Sequence, residues 1–126
     1  MDPIVHFELP IKGEESKVFY RNIFGWELAE MPEMDYTMVK TTEVGEDFMP
    51  KNPGTINGGM LSIKDNGSLN PVLVIMVPNI DNYITKIEKA GGKIVMPKVQ
   101  VGDMGWTARF TDPSGVVMGL WEVIQK

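Results

Sequence analysis

The chain has 126 residues, no cysteine and a formal net charge of −5. That length supports one domain with a real core, and the lack of cysteine excludes disulfides, thiolate metal sites and cysteine nucleophiles together. The acidic balance, with lysines scattered and in no stripe, argues against a nucleic-acid partner.

No apolar run approaches the roughly 20 residues that span a bilayer. The stretch "PVLVIMVP" (71–78) is bounded by prolines and has strand length. The opening "MDPIVHFELP" has no basic segment followed by an apolar core, so no leader, no membrane and a cytoplasmic location are expected. Ten methionines suit an adaptable core, or a soft pocket for an apolar ligand.

The first element is "PIVHFEL" (3–9), which alternates. Val5, Phe7 and Leu9 form its apolar face, and His6 and Glu8 point the other way. "GEESKVFYRNIF" reads as a helix with an acidic start, a stripe of Val18, Phe19 and Ile23, and Gly25 as its stop. "WELAEM" and "DYTMVKTT" read as short strands. "VGEDFMPKNPGTING" is a long loop, whose Phe48 and Met49 suit a lid or a dimer contact. "GGMLSIKD" makes a fourth strand, and "NGSLNP" a turn or linker.

The order then repeats. "PVLVIMV" is a buried strand. "NIDNYITKIEKAGG" is a helix capped by Asn79 or Asp81, with Ile80, Ile84 and Ile87 on one face. "KIVMPKVQV" and "GWTARFT" are strands, "DPSG" is a tight turn and "VVMGLWEVI" is the last strand. The expected class is α+β: two tandem βαβββ modules, about 1–66 and about 71–126, in a single domain of residues 1–126. They would build a curved eight-stranded mixed sheet around a cleft, with the helices outside.

"VHFELPIKGEESKVFYRNIFGWEL" (5–28), "AGGKIVMPKV" (90–99) and "FTDPSGVVMGLWE" (110–122), in this order and spacing, resemble the vicinal oxygen chelate superfamily. That is the group of glyoxalase I, extradiol dioxygenases and bleomycin-resistance proteins. The resemblance covers nearly the whole chain and is specific for fold more than for activity. "GWEL", "GGM" and "GLWE" look like its glyoxalase-like subgroup.

Metal-dependent members of that superfamily carry one ligand on the first and one on the last strand of each module. The resemblance puts those positions at Ile4, at one of Gly59, Met60 or Ser62, at Val72 and at Gly119. None of these is a His, Glu or Gln. His6 is two residues from the first position, on the same face. Glu122 lies three residues past Gly119, on the opposite face. The expectation is therefore no metal and no other cofactor, with Gly119 opening room in the cup floor.

Strand parity gives the expected pocket lining: His6, Glu8, Met60, Ser62, Val74, Thr107, Arg109, Gly119 and Trp121, with Val72, Val117 and Met76 beside them. His6, with Glu8 near it, is the candidate catalytic base. Each has a plainer reading, such as a structural histidine, a Glu8–Arg109 ion pair or a core tryptophan. Trp26 and Trp106 read as structural. The first functional expectation is a small-molecule binding protein. A glyoxalase-like lyase, isomerase or dioxygenase is the alternative, and a non-catalytic structural module the second. The resemblance also implies a homodimer.

Overall fold

The structure is a computed structural model that describes residues 1–63 and 68–125. The fourth strand's expected end at Lys64 and Asp65, and the first residues of the "NGSLNP" linker, lie outside the described residues. Among the described residues, eight strands and two α-helices make an α+β fold. It divides into two compact units, His6–Pro71, and Val72–Lys126 together with Met1–Val5.

The first module runs β1 (Ile4–Ile11), α1 (Glu14–Phe24), β2 (Glu27–Met31), a 3-10 turn (Pro32–Met34), β3 (Tyr36–Lys40) and β4 (Asn57–Ser62). Its strands lie in the order β2-β3-β4-β1. β1 and β4 are parallel and the other pairs antiparallel. Ile11, Val39 and Met60 form the buried core, with Phe7, Leu9, Tyr20, Trp26 and Leu28 packed on it.

α1 is rotated away from the expected stripe. Val18, Phe19 and Ile23 are 47%, 53% and 63% exposed. Lys17 and Tyr20, one turn apart, carry the inward side. Two contacts set this rotation. Tyr20 stacks flat on Trp26, with ring centroids 4.8 Å apart. The buried Lys17 ammonium bonds to Glu30 at 2.7 Å and Glu14 at 3.0 Å. The hydrogen bond to Glu30 above all, with the one to Glu14, raises the Lys17 pKa above its usual 10.5. Gly25 ends the helix at φ 70, the left-handed turn glycine adopts without strain, and its N–H donates to the Arg21 carbonyl.

The loop between β3 and β4 is pinned at its base. The Asn57 side-chain oxygen accepts from the N–H groups of Thr41 (2.7 Å) and Thr42 (3.0 Å), and the Thr41 hydroxyl donates to the Ile56 carbonyl. Phe48, at the far end, is 85% exposed.

The second module runs β5 (Val72–Met76), α2 (Ile80–Lys89), β6 (Lys93–Val101), β7 (Gly105–Thr111) and β8 (Val117–Val123). Its order, β5-β8-β7-β6, repeats that of the first, again with first and last strands parallel. Val77, Ile80, Ala108 and Leu120 are buried, and Ile75, Tyr83, Ile84, Ile87, Trp106 and Phe110 pack around them. The expected isoleucine face of α2 is the one that packs. The turn before β8 is held by the Asp112 carboxylate, which accepts from the N–H groups of Ser114 and Val116.

The N-terminus of α2 has two caps. The Asn79 side chain accepts from the Asn82 N–H at 2.9 Å. Glu122 accepts from the Ile80 N–H at 2.8 Å, and Lys98 lies 3.7 Å from the same carboxylate oxygen. A negative carboxylate at a helix N-terminus satisfies an otherwise orphaned donor and opposes the helix dipole. Its side chain is only 16% exposed, so losing it leaves a poorly solvated N–H. Glu122→Ala is expected to destabilise the protein by about 1–3 kcal/mol, read from urea unfolding, with Glu122→Gln recovering part of the loss.

Candidate functional site

In the first module, β1 sets two faces. Phe7 and Leu9 join the core under α1, so His6 and Glu8 lie on the face away from it. Register carries that face across the strands: His6 is opposite Asn57, Glu8 opposite Gly59, Gly59 opposite Met38, and Leu61 opposite Tyr36. The Tyr36 hydroxyl and the His6 Nε2 are hydrogen-bonded at 2.9 Å.

That bond joins β3 to β1 across β4. It exists because β4 carries glycine where the phenol crosses: a Cβ on Gly59 would overlap the Tyr36 ring. The neighbouring Gly58 does the same service on the opposite face, where a Cβ would overlap Phe7. The Gly58-Gly59 pair thus seats one aromatic ring on each side of the sheet.

Two expected lining residues lie elsewhere. Met60 is opposite Leu9 and 1% exposed, in the core under α1. Ser62, two residues on, shares its parity and is exposed at the strand end. The β4 residues that share the face of His6 are Asn57, Gly59 and Leu61. The error is a one-residue shift in facing, because the pairing of β4 with β1 fixes the faces and the short "GGML" run does not.

Burial holds the His6 pKa below its usual 6.5, and the charge of Glu8 partly opposes this. The imidazole is therefore neutral at pH 7.

In the second module, Val74, Gly119 and Arg109 lie side by side on β5, β8 and β7, and Met76, Trp121 and Thr107 form the next row. Leu120, Ala108 and Phe110 face the α2 core instead. The Thr107 hydroxyl donates to the Leu120 carbonyl. The Trp121 indole lies against Gly105, where a Cβ would strike it.

Gly119 does not open room. A Cβ there would sit 3.0 Å from Val74 Cγ2 and 3.6 Å from Val72 Cγ1. Both valines are buried, at 4% and 7% exposure. The space a larger side chain would take is filled from the neighbouring strand.

These observations bear directly on a divalent ion. Ile4 and Val72 offer no lone pair, Gly119 is packed by valines, and Gly59 lies beneath the Tyr36 phenol. His6 has its Nε2 committed to Tyr36. Glu122 caps α2 on the opposite face. Among the described residues no group of three or more His, Asp or Glu side chains is placed to hold a metal. The side chains present do not fit the superfamily's metal. A shallow hollow of about 490 Å³ lies on the surface of α2, around Pro78, Asn82, Tyr83 and Lys86, and shares no residue with these two faces.

Tyr36 was absent from the sequence-derived lining. Its signal was the glycine doublet, which marks a strand that something must cross.

Comparison with known proteins agrees with the fold. Residues 3–42 match the family described as Bleomycin resistance protein-like N-terminal. Two mycobacterial relatives, from Mycobacterium bovis and Mycobacterium tuberculosis, are named "Putative glyoxylase CFP32". Each is 29% identical over 114 residues, 85% of this chain but 40% of the relative. The chain thus spans about two fifths of their length. A glyoxalase/bleomycin resistance protein/dioxygenase superfamily member from Vibrio splendidus superposes with a TM-score of 0.63 at 13% identity, over 97% of this chain and 99% of that one. Homoprotocatechuate 2,3-dioxygenase from Brevibacterium fuscum, solved with 3,4-dihydroxyphenylacetate, gives 0.67 at 16% identity, over 97% of this chain and 36% of that one. The chain thus shares its fold with members of the glyoxalase/bleomycin resistance/dioxygenase superfamily, and its residues 3–42 match a bleomycin-resistance-like family.

Two measurements check this geometry. Gly119→Ala should cost about 1–3 kcal/mol through overpacking. Adding Val74→Ala should recover part of that loss, a coupling that a double-mutant cycle in urea resolves. The depressed pKa of His6 gives a pH signature. The unfolded chain takes up a proton near pH 6.5 and the folded chain only at lower pH. Stability from this group is therefore complete above pH 6.5 and is lost as pH falls towards the folded value. Because this is the chain's one histidine, the drop in unfolding free energy between pH 7.5 and 5 should shrink in His6→Gln.

Proposed function

We propose that this protein binds a small organic molecule through hydrogen bonds and shape, without a divalent metal. The observation that carries the reading is the state of the superfamily's ligand positions. Beyond lacking donor side chains, the glycines there are crowded by the Tyr36 phenol and by Val72 and Val74, which supports the reading. In the first module, the face away from α1 carries an imidazole, a phenol and the Glu8 carboxylate; the second module, taken by itself, carries Thr107, Arg109 and Trp121 on one face.

Polar groups set among apolar walls are the usual make-up of a small-molecule site. A homodimer is part of the reading. The exposed Val18, Phe19, Ile23 and Phe24 on α1 support it, because an apolar patch of that kind gains by being covered. No helix among the described residues is long and apolar enough to cross a membrane.

The test is elemental analysis of the purified protein beside a thermal-shift screen. Nickel, zinc, manganese and iron(II) are expected to be substoichiometric and to leave Tm unchanged, whereas at least one class of small organic compound should raise it. A site filled at about 100 times its Kd adds roughly 2.7 kcal/mol, several degrees for a chain of this size. One equivalent of tightly held metal overturns the reading and favours a glyoxalase-like lyase or a dioxygenase.

A further inference from the structure

The Tyr36–His6 pair has one further consequence for ligand chemistry. A neutral imidazole carries one N–H and one bare nitrogen. Nε2 faces the Tyr36 hydroxyl at 2.9 Å. That bond uses Nε2 and leaves Nδ1 as the ring's second nitrogen.

The bond between phenol and imidazole forms in one of two ways. Either the phenol donates to a bare Nε2, or an Nε2–H donates to the phenol oxygen. A phenol is a good donor and a weak acceptor, and a bare imidazole nitrogen is a strong acceptor, so the first arrangement is the more stable.

We propose that Tyr36 is a positioning residue for His6. By donating to Nε2 it holds the imidazole in the Nδ1–H tautomer and turns that N–H towards the ligand. Gly59 is the residue that lets it do so. Resting on the metal-free reading above, this names the ligand class: a molecule that presents a carbonyl or carboxylate oxygen to His6, not an ammonium or other donor group. The low pKa of His6 keeps the ring neutral at pH 7, so it is one N–H that is offered and not two.

The experiment is nitrogen-15 NMR of the imidazole at pH 7.5, where a single histidine gives one unambiguous set of signals. The wild type is expected to show the Nδ1–H tautomer as its major form. Tyr36→Phe keeps the ring and removes the donor, so the Nε2–H tautomer should become the major form. Gly59→Ala should produce the same change, because the phenol can no longer cross β4. If Gly59→Ala fails to fold, Tyr36→Phe alone decides. A merely structural Tyr36 would leave the tautomer where it was. A wild-type Nε2–H tautomer, or no change in Tyr36→Phe, overturns the proposal.

The ligand class is tested with sodium benzoate as the acceptor probe and benzylamine as the donor probe. Benzoate should shift the imidazole signals saturably, and benzylamine should not. A saturable shift with benzylamine alone, or none with benzoate, overturns the acceptor assignment. The metal-free reading would still stand or fall on its own elemental analysis.

Discussion

Neighbouring strands lie about 4.8 Å apart, so a side chain that touches a residue two strands away must pass over the strand between. The Tyr36 phenol makes this passage from β3 to His6 on β1, and glycine at position 59 makes it physically permissible. Much of the first module's chemistry depends on that constraint. The glycine brings the ring close to the sheet. The ring supplies the imidazole's partner, and the partnered imidazole is unavailable as a ligand through Nε2. The second module uses the same device with different residues. Gly119 lets the Val74 methyl groups of the neighbouring strand close over it.

The two modules share a strand order but differ in how their helices are held. α2 packs isoleucines and Tyr83 on its sheet and has two side-chain caps. α1 has no side-chain cap. It is held by the Tyr20–Trp26 stack and by a buried lysine between two carboxylates. A single amine held by Glu14 and Glu30 ties α1 to β2 through charge-assisted bonds, which are stronger than neutral ones.

Much of this was legible in the sequence where a period-two pattern ran long enough to fix a face. "PIVHFEL" separated Phe7 and Leu9 from His6 and Glu8, and "GWTARFT" with "GLWE" set the order of faces on β7 and β8. The repeat of strand, helix and three strands followed from the glycine stops and the turn residues. Three things were hidden. The facing of Met60 depends on which β1 residue it stands beside, a long-range choice. The outward face of α1 follows from a bond to Glu30, 13 positions away. The filling over Gly119 comes from Val74, 45 positions earlier in the chain (119 − 74). In each case a partner distant in sequence decided the outcome.

The packing around Gly119 also limits which side chains can stand there. A carboxylate introduced there would meet Val74 before it could meet any ion. Val74 would have to be trimmed first, at a time when trimming it leaves only a void beneath the strand and brings no benefit. Val72 would have to become a donor as well. A coordinating side chain at this corner therefore takes matched changes on β5 and β8, not a single substitution.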